Sequence, residues 1–131
     1  MNFQMSVIEH LKEKGFNCII QKSAFPDIVA WKPFSDGKEN SLALNAQANV
    51  GGRIARKVFF PFFVSFVECR ANKHLSKKEN EIVKKILEEG RCNAFLVAYK
   101  DKKKLKFQEI ELKGSTAITK DIKEPLPSYL G

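Results

Sequence analysis

Apolar residues recur at helical spacing in the first part of the chain. Over residues 3–14, Val7, Ile8 and Leu11 fall on one face of a helix, and most charged residues fall on the other. Gly15 follows directly, and glycine is common just beyond the C-terminal end of a helix. The pattern therefore predicts an amphipathic helix over residues 3–14 that ends at Gly15.

A second helical pattern has a clear start as well as a clear end. Ser76 is suited to the N-cap position, and Glu79 follows three residues later, which is the spacing of a capping box. The apolar face that follows consists of Ile82, Val83, Ile86 and Leu87. Gly90 ends the pattern. The sequence predicts a helix between Ser76 and Gly90.

The other apolar segments are short and rich in β-branched and aromatic residues, which is typical of strands. The predicted strands cover residues 16–21, 25–31, 41–47, 58–70, 92–99 and 105–112. Pro61 predicts an edge position or a bulge in the fourth, and a switch of apolar parity between Phe107 and Ile110 predicts a bulge in the last. The order helix, three or four strands, helix and two strands predicts an α/β or α+β fold, with helices flanking a central mixed sheet.

The length of the chain sets the expected domain organisation. A chain of 131 residues is expected to form a single domain over residues 1–131, and it is long enough to bury a core. The segment from about residue 113 to residue 131 ends in "KEPLPSYLG", which has two prolines and no apolar period. We expect an irregular C-terminal tail there.

The composition indicates a basic protein with reduced thiols. Lys and Arg outnumber Asp and Glu by 23 to 15, and this surplus of +8 favours an anionic partner such as nucleic acid. Cys18, Cys69 and Cys92 form no C-x-x-C pair, so we expect a cytoplasmic protein with free thiols rather than a zinc site. No apolar run is long enough for a signal peptide or a membrane span, so no membrane partner is expected.

Charged residues interrupt two of the apolar strands. Side chains alternate along a strand, so Glu68 and Arg70 are predicted to share one face. Asp27, Glu68 and the backbone carbonyl of Cys69 would supply hard oxygen ligands for Mg²⁺, and the cation at position 70 would stabilise charge on a phosphate. Taken alone, the same residues also fit a hydrated strand end and an aspartate that stabilises the turn after Pro26.

These residues belong to a longer stretch that resembles a known family. The segments "PDIVAW" and "FVECRANKHLSKKE" look like the motif of the PD-(D/E)xK nuclease superfamily, with the archaeal Holliday-junction resolvases as the nearest branch. The resemblance runs from the helix that ends in "GF" to the hairpin "AFLVAYKDKKKLKFQEIEL" and covers most of residues 3–112. It implies a restriction-endonuclease-like core and Mg²⁺- or Mn²⁺-dependent cleavage of DNA, including branched DNA such as Holliday junctions.

The resemblance also implies roles for individual residues. Asp27 and Glu68 match the metal-binding acids, Arg70 occupies the position of the catalytic lysine, and Lys73 falls where related resolvases often carry another basic residue. Arginine at position 70 still binds phosphate, but its guanidinium does not readily give up a proton. Catalysis is then slowed, taken over by Lys73, or lost.

The first helix departs from the family pattern as well. Family members often carry a glutamate about three turns before the end of this helix, and the register from Gly15 places Gln4 there. An amide oxygen still contributes to such a site, with less charge than a carboxylate. Glu9, the nearest acid, faces away from Gln4 because the two are five residues apart.

Residues 33–62 form an insertion where the family usually has a tight turn. The insertion and two other segments supply the candidate DNA-binding residues, which are Arg53, Arg56, Lys57, Lys73, Lys102 and Lys103. Lys102 and Lys103 equally fit a solvated hairpin tip. The insertion also holds the aromatic cluster Phe59, Phe60, Phe62 and Phe63, which predicts either core packing or the interface of a homodimer.

Three functions fit the sequence. The first is a metal-dependent DNA endonuclease in which Asp27, Glu68, Arg70 and Lys73 form the catalytic set. The second is a catalytically impaired nucleic-acid-binding module of the same fold. The third is a basic protein that oligomerises through its aromatic insertion and acts by interaction. Metal-dependent cleavage separates the first from the second, and salt-sensitive DNA binding separates both from the third.

Overall fold

The computed structural model of the protein describes residues 2–33, 62–72 and 74–125. Contacts within the chain divide it into two compact units, one formed by Met1–Trp31 and Val64–Gly131 and the other by Lys32–Phe63. The second unit spans the segment that the sequence predicts as an insertion, and nearly all of it lies outside the described residues. The candidate site residues described below belong to the first unit.

The described residues contain two helices and six strands. The helices are α1 (Phe3–Glu13) and α2 (Lys77–Glu88). The strands are β1 (Asn17–Ile20), β2 (Ile28–Pro33), β3 (Phe62–Cys69), β4 (Ala94–Asp101), β5 (Lys104–Lys113) and β6 (Thr116–Ile122). The strand predicted over residues 41–47, and the part of the predicted strand 58–70 that contains Pro61, lie outside the described residues.

The strands form one sheet whose spatial order follows the chain, from β1 at one edge to β6 at the other. β1 pairs with β2, β4 with β5, and β5 with β6 in antiparallel fashion. β3 and β4 are parallel, and α2 lies in the crossover connection that a parallel pair requires. The predicted mixed sheet flanked by helices is therefore confirmed.

Local sequence signals explain where both helices begin and end. The Asn2 side chain accepts a hydrogen bond from a backbone N–H in the first turn of α1 at 2.9 Å. The predicted capping box of α2 is confirmed: Ser76 Oγ accepts from Glu79 N–H at 3.1 Å, and Glu79 Oε1 accepts from Ser76 N–H at 2.9 Å. Gly15 and Gly90 follow the two helices with φ of 94° and 66°, which glycine adopts without strain.

The helices cover opposite faces of the sheet. The Phe107 ring on β5 contacts the His10 ring of α1 with centroids 5.5 Å apart, whereas Ile110 on β5 packs with Val83 of α2. The bulge predicted between Phe107 and Ile110 is wrong, because β5 pairs with β4 without interruption from Ile110 to Lys104. Apolar residues of both parities occur there because both faces of the strand are covered.

The prediction of an irregular tail from residue 113 is also wrong over its first part. Thr116–Ile122 form β6, which pairs with β5 from Lys113↔Thr116 to Phe107↔Ile122. The β-branched residues of this segment favour a strand, and Gly114 has the φ of 67° that the turn before it needs. Residues 126–131 lie outside the described residues.

The centre of the sheet is the most buried part of the fold. On β4, the six consecutive residues from Ala94 to Tyr99 are buried, as expected for a strand with a helix on each side. Within residues 2–33, 62–72 and 74–125, neither helix is long and apolar enough to cross a membrane.

Candidate active site

Asp27 and Glu68 meet where β2 begins and β3 ends. Asp27 directly precedes β2, and Glu68 is the next-to-last residue of β3. The N–H of Asp27 donates to Glu68 Oε1 at 3.0 Å, and Asp27 Oδ2 accepts from the N–H of Cys69 at 3.0 Å. The predicted convergence of the two acids is therefore observed. Asp27 is a partner of the neighbouring strand rather than only a turn residue, and Glu68 is buried rather than hydrated.

The environment raises the pKa of Glu68 above the ordinary glutamate value of 4.5. Burial is the largest cause, because desolvation disfavours the charged form. The negative charge of Asp27 and a side-chain hydrogen bond with Asp27 act in the same direction, while the Arg70 guanidinium and the Asp27 N–H act against it. Because a nearby negative charge disfavours ionisation of Glu68, a cation at this point would lower the cost of that charge.

Arg70 follows β3 and turns back over Glu68. Its backbone N–H donates to the carbonyl of Ala98 on β4 at 2.9 Å, which extends the parallel pairing by one residue. Its Nη2 lies 2.8 Å from Glu68 Oε2 and also pairs with Glu79 Oε2. The prediction that Glu68 and Arg70 share one face is confirmed. Arg70 therefore contacts one member of the acid pair, Glu68, directly.

Glu79 is a member of the site that sequence reasoning missed. The same side chain closes the capping box of α2 through Oε1 and pairs with Arg70 through Oε2. The capping signal placed Glu79 in the first turn of α2, but that signal carries no information about what the second oxygen contacts. Through Glu79, the start of α2 is tied to the end of β3.

The nitrogen atoms of the Arg70 guanidinium have different surroundings. Both carboxylates contact Nη2, and no described hydrogen bond uses Nη1. The Nε atom is buried without a partner. A guanidinium carries five N–H donors, so two acidic contacts on one nitrogen leave donors for another ligand.

An open cavity of about 560 Å³ adjoins the acid pair through Cys69 and Arg70. The residues that line it include Asn2, Phe3, Gln4, Cys69, Arg70 and Lys100. Lys100 Nζ lies over the Phe3 ring, 5.4 Å from its centroid. The cavity thus brings Gln4 to the same space as Arg70. None of the described hydrogen bonds joins Gln4 to Asp27 or Glu68.

Cys69 contributes its backbone rather than its thiol. Burial, and then the charges of Asp27 and Glu68, raise the pKa of the Cys69 thiol to about 12. A thiol with this pKa is protonated near neutral pH, so it is not a nucleophile. Its N–H is held by Asp27, which also fixes the adjoining peptide beside the two acids.

These groups fit Mg²⁺ as far as the donor set goes. Mg²⁺ is usually bound by one or two carboxylates and completes its shell with waters and substrate oxygens. Asp27, Glu68 and the Cys69 carbonyl match that requirement. Within residues 2–33, 62–72 and 74–125, no group of three or more His, Cys, Asp or Glu side chains gathers at a common point. A cation held by two carboxylates and one carbonyl would keep part of its water shell.

Other predicted site residues have a different standing. Lys73, Arg53, Arg56 and Lys57 lie outside the described residues. Lys102 and Lys103 form the tip of the β4–β5 hairpin, with φ of 51° and 68°. This tip extends from the same end of the sheet as Glu68, because β3 and β4 run parallel.

No family model, curated protein or solved structure matches the chain.

Proposed function

We propose that the protein is a Mg²⁺-dependent DNA endonuclease of the PD-(D/E)xK type. The observation that carries the proposal is the pair of carboxyl groups, Asp27 and Glu68, held together by reciprocal hydrogen bonds and contacted by the guanidinium of Arg70. Paired acids of this kind, with a raised glutamate pKa, are typical of functional sites. Branched DNA such as a Holliday junction is the proposed substrate because of the motif resemblance.

The two acids hold the metal ion in this proposal, with the carbonyl of Cys69. A bound Mg²⁺ supplies Lewis-acid polarisation of the phosphate and a water of lowered pKa. Mn²⁺ meets the same requirements. Glu68 must lose its proton for the ion to bind, and Asp27 fixes the orientation of both the Glu68 carboxylate and the Cys69 peptide.

Arg70 stabilises the negative charge on the phosphate. Its Nη2 stays with Glu68 and Glu79, and Nη1 donates to a non-bridging phosphate oxygen. A guanidinium remains protonated in proteins, so Arg70 does not accept the proton of the attacking water. That proton passes to solvent, or to Lys73, the other basic residue of the motif, when its amine is in the neutral form.

The DNA backbone is proposed to approach along the cavity that contains Arg70 and Lys100 and to continue to the hairpin tip at Lys102 and Lys103. A net charge of +8 favours such contacts. Arg53, Arg56 and Lys57 are proposed as further contacts. The exposed Phe62, with Phe59 and Phe60, is proposed as a homodimer interface, whereas Phe63 is buried. The free thiols of Cys18, Cys69 and Cys92 suit a cytoplasmic location.

Incubation with end-labelled DNA tests the proposal. The substrates are a four-way junction, a flap, a duplex and a single strand, each with Mg²⁺, Mn²⁺ or EDTA. We expect metal-dependent cleavage, strongest on the branched substrates, that is lost in Asp27→Asn and Glu68→Gln. Cleavage that persists in both variants would show that Asp27 and Glu68 are not the catalytic acids.

One observation favours a second candidate, a catalytically impaired DNA-binding module. Arg70 is already paired with two carboxylates, and each pairing draws its positive charge away from a phosphate. This candidate predicts DNA binding that weakens with salt, without cleavage of any substrate in either metal ion. The same panel, read by a binding assay beside the cleavage assay, separates the two candidates.

A further inference from the structure

A second cleft lies on the α2 side of the sheet, near the acid pair but separate from the cavity at Arg70. Its volume is about 220 Å³, and it lies between the segment that starts α2 and strands β4 to β6. Val97 lies in this cleft and is the direct neighbour of Glu68 on β3 and of Gln108 on β5. Glu68, Val97 and Gln108 therefore form one row, with Gln108 roughly 10 Å from Glu68 at two strand spacings.

The lining of the cleft combines apolar walls with polar groups. Leu75, Val97 and Ile110 provide apolar surface. The polar members are His74, Asn80, Gln108 and Thr119. The volume is smaller than that of a site for a drug-sized ligand and suits one flat ring system. Such a lining fits a heterocycle that carries hydrogen-bonding groups on its edge.

The two amides in the cleft are oriented by bonds to the protein. Gln108 Nε2 donates to Asp121 Oδ1 at 3.0 Å, and Asn80 Nδ2 donates to the carbonyl of Leu75 at 3.4 Å. Gln108 is only 8% exposed, so its orientation is held by its surroundings. Each amide keeps its oxygen and a second N–H, so each offers an acceptor and a donor to a ligand. A heterocycle with both donors and acceptors on its edge complements these groups.

We propose that this cleft binds one unpaired nucleobase of the DNA whose backbone lies at Asp27 and Glu68. The proposal rests on the nuclease function proposed above. A base beside the contacted phosphate reaches the cleft, since Gln108 and Glu68 lie on one face of the sheet. A base that is already unpaired costs least to place there, which selects DNA with a flap, bulge or junction over a perfect duplex.

The test uses DNA binding in EDTA, so that no cleavage is needed. The probe is a duplex with a single bulged 2-aminopurine, whose fluorescence rises when the base leaves the stack, and a dye at the far end reports binding by anisotropy. We expect wild type to raise the 2-aminopurine emission on binding. It should also bind the bulged duplex roughly five- to tenfold more tightly than the fully paired duplex of the same sequence, the factor for about one hydrogen bond.

A matched pair of variants on β6 locates the signal. Thr119→Leu fills the cleft, whereas Thr116→Leu makes the same change on the exposed surface of that strand. Thr119→Leu should remove most of the emission change and leave affinity for fully paired duplex unchanged, and Thr116→Leu should match wild type. Binding without an emission change in wild type, or an equal change in Thr119→Leu, overturns the base site. Because the binding test does not measure cleavage, its result can be interpreted even if the nuclease assay shows no activity.

Discussion

Asp27 and Glu68 are joined through the peptide backbone as well as through their carboxyl groups. The Asp27 N–H donates to Glu68 Oε1, and Asp27 Oδ2 accepts from the peptide that follows Glu68, each at 3.0 Å. Each acid therefore fixes the position of the other across 41 residues of sequence. Changes at either residue should alter metal binding before they alter the fold, because the hydrogen bonds lie at one end of the sheet.

Glu68→Gln should abolish metal-dependent cleavage while DNA affinity stays equal or increases. The amide keeps the shape of the side chain but removes the charge that binds the cation, and it also removes a negative charge that repels phosphate. Cleavage and anisotropy measured on the same DNA check both parts. Glu88→Gln, an equal change on the exposed surface of α2, serves as control. Full cleavage by Glu68→Gln would show that Glu68 is not a metal ligand.

The raised pKa of Glu68 predicts how stability depends on pH. The folded state binds the Glu68 proton more tightly than the unfolded state, whose glutamate value is near 4.5. This contribution is fully present below 4.5 and is lost as pH rises through the higher folded value. In EDTA, the free energy of unfolding of wild type should therefore fall relative to that of Glu68→Gln over that range. Urea denaturation at a series of pH values measures the difference, and parallel curves would contradict the prediction.

Binding of Mg²⁺ should strengthen over the same pH range. The ion competes with the proton on Glu68, whose pKa is raised, so affinity rises as Glu68 loses that proton. Isothermal titration with Mg²⁺ at several pH values checks this, with proton release measured from the dependence on buffer ionisation. Affinity that is constant through this range would place the ion elsewhere.

Arg70→Ala should lower cleavage by a factor of about 100 to 1,000, the effect of losing one preorganised donor. Arg70→Lys should retain cleavage, and adding Glu79→Gln should raise it further, because one carboxylate fewer then competes for the lysine ammonium. Arg91→Ala is the control, since Arg91 pairs with Glu89 by a similar contact away from the site. If Arg70→Ala cleaves as wild type does, Lys73 becomes the candidate for this role.

The two lysines at the hairpin tip should lower the stability of the fold while they add positive charge for DNA binding. Lys102 and Lys103 adopt φ of 51° and 68°, where turns favour Asn and Gly. Lys102→Asn with Lys103→Gly should stabilise the fold by about 1 kcal/mol or more. The same double change should reduce the salt dependence of DNA binding by about two phosphate contacts. Lys102→Gln with Lys103→Gln removes the charges without relieving the backbone, so it should change only binding. A salt slope that neither change alters would remove the tip from the interface.

The parts of the fold that local chemistry determines could be predicted from the sequence. The capping box at Ser76 and Glu79 involves residues three apart, and the shared face of Glu68 and Arg70 follows from strand alternation. The two wrong predictions, the bulge near Phe107 and the irregular tail, have different causes. Alternation along a strand cannot reveal whether one face of the sheet or both are covered. An edge strand such as β6 shows only a weak apolar pattern.

The candidate site was predictable only in part, for a similar reason. Asp27 and Glu68 could be paired because each interrupts an apolar strand and because the surrounding motif resembles that of a nuclease family. The contact between Arg70 and Glu79 depends on how the first turn of α2 lies against the end of β3. Neither the capping signal nor strand alternation specifies that distance, so Glu79 had no sequence signal for its second role.

The order of the sheet has a consequence for how such a protein can diversify. Asp27 directly precedes β2 and Glu68 lies near the end of β3, and the chain between these two strands runs through residues 34–61. The entropy cost of closing a loop grows slowly with its length. Changes in the length of residues 34–61 should therefore cost the acid pair and its strands little.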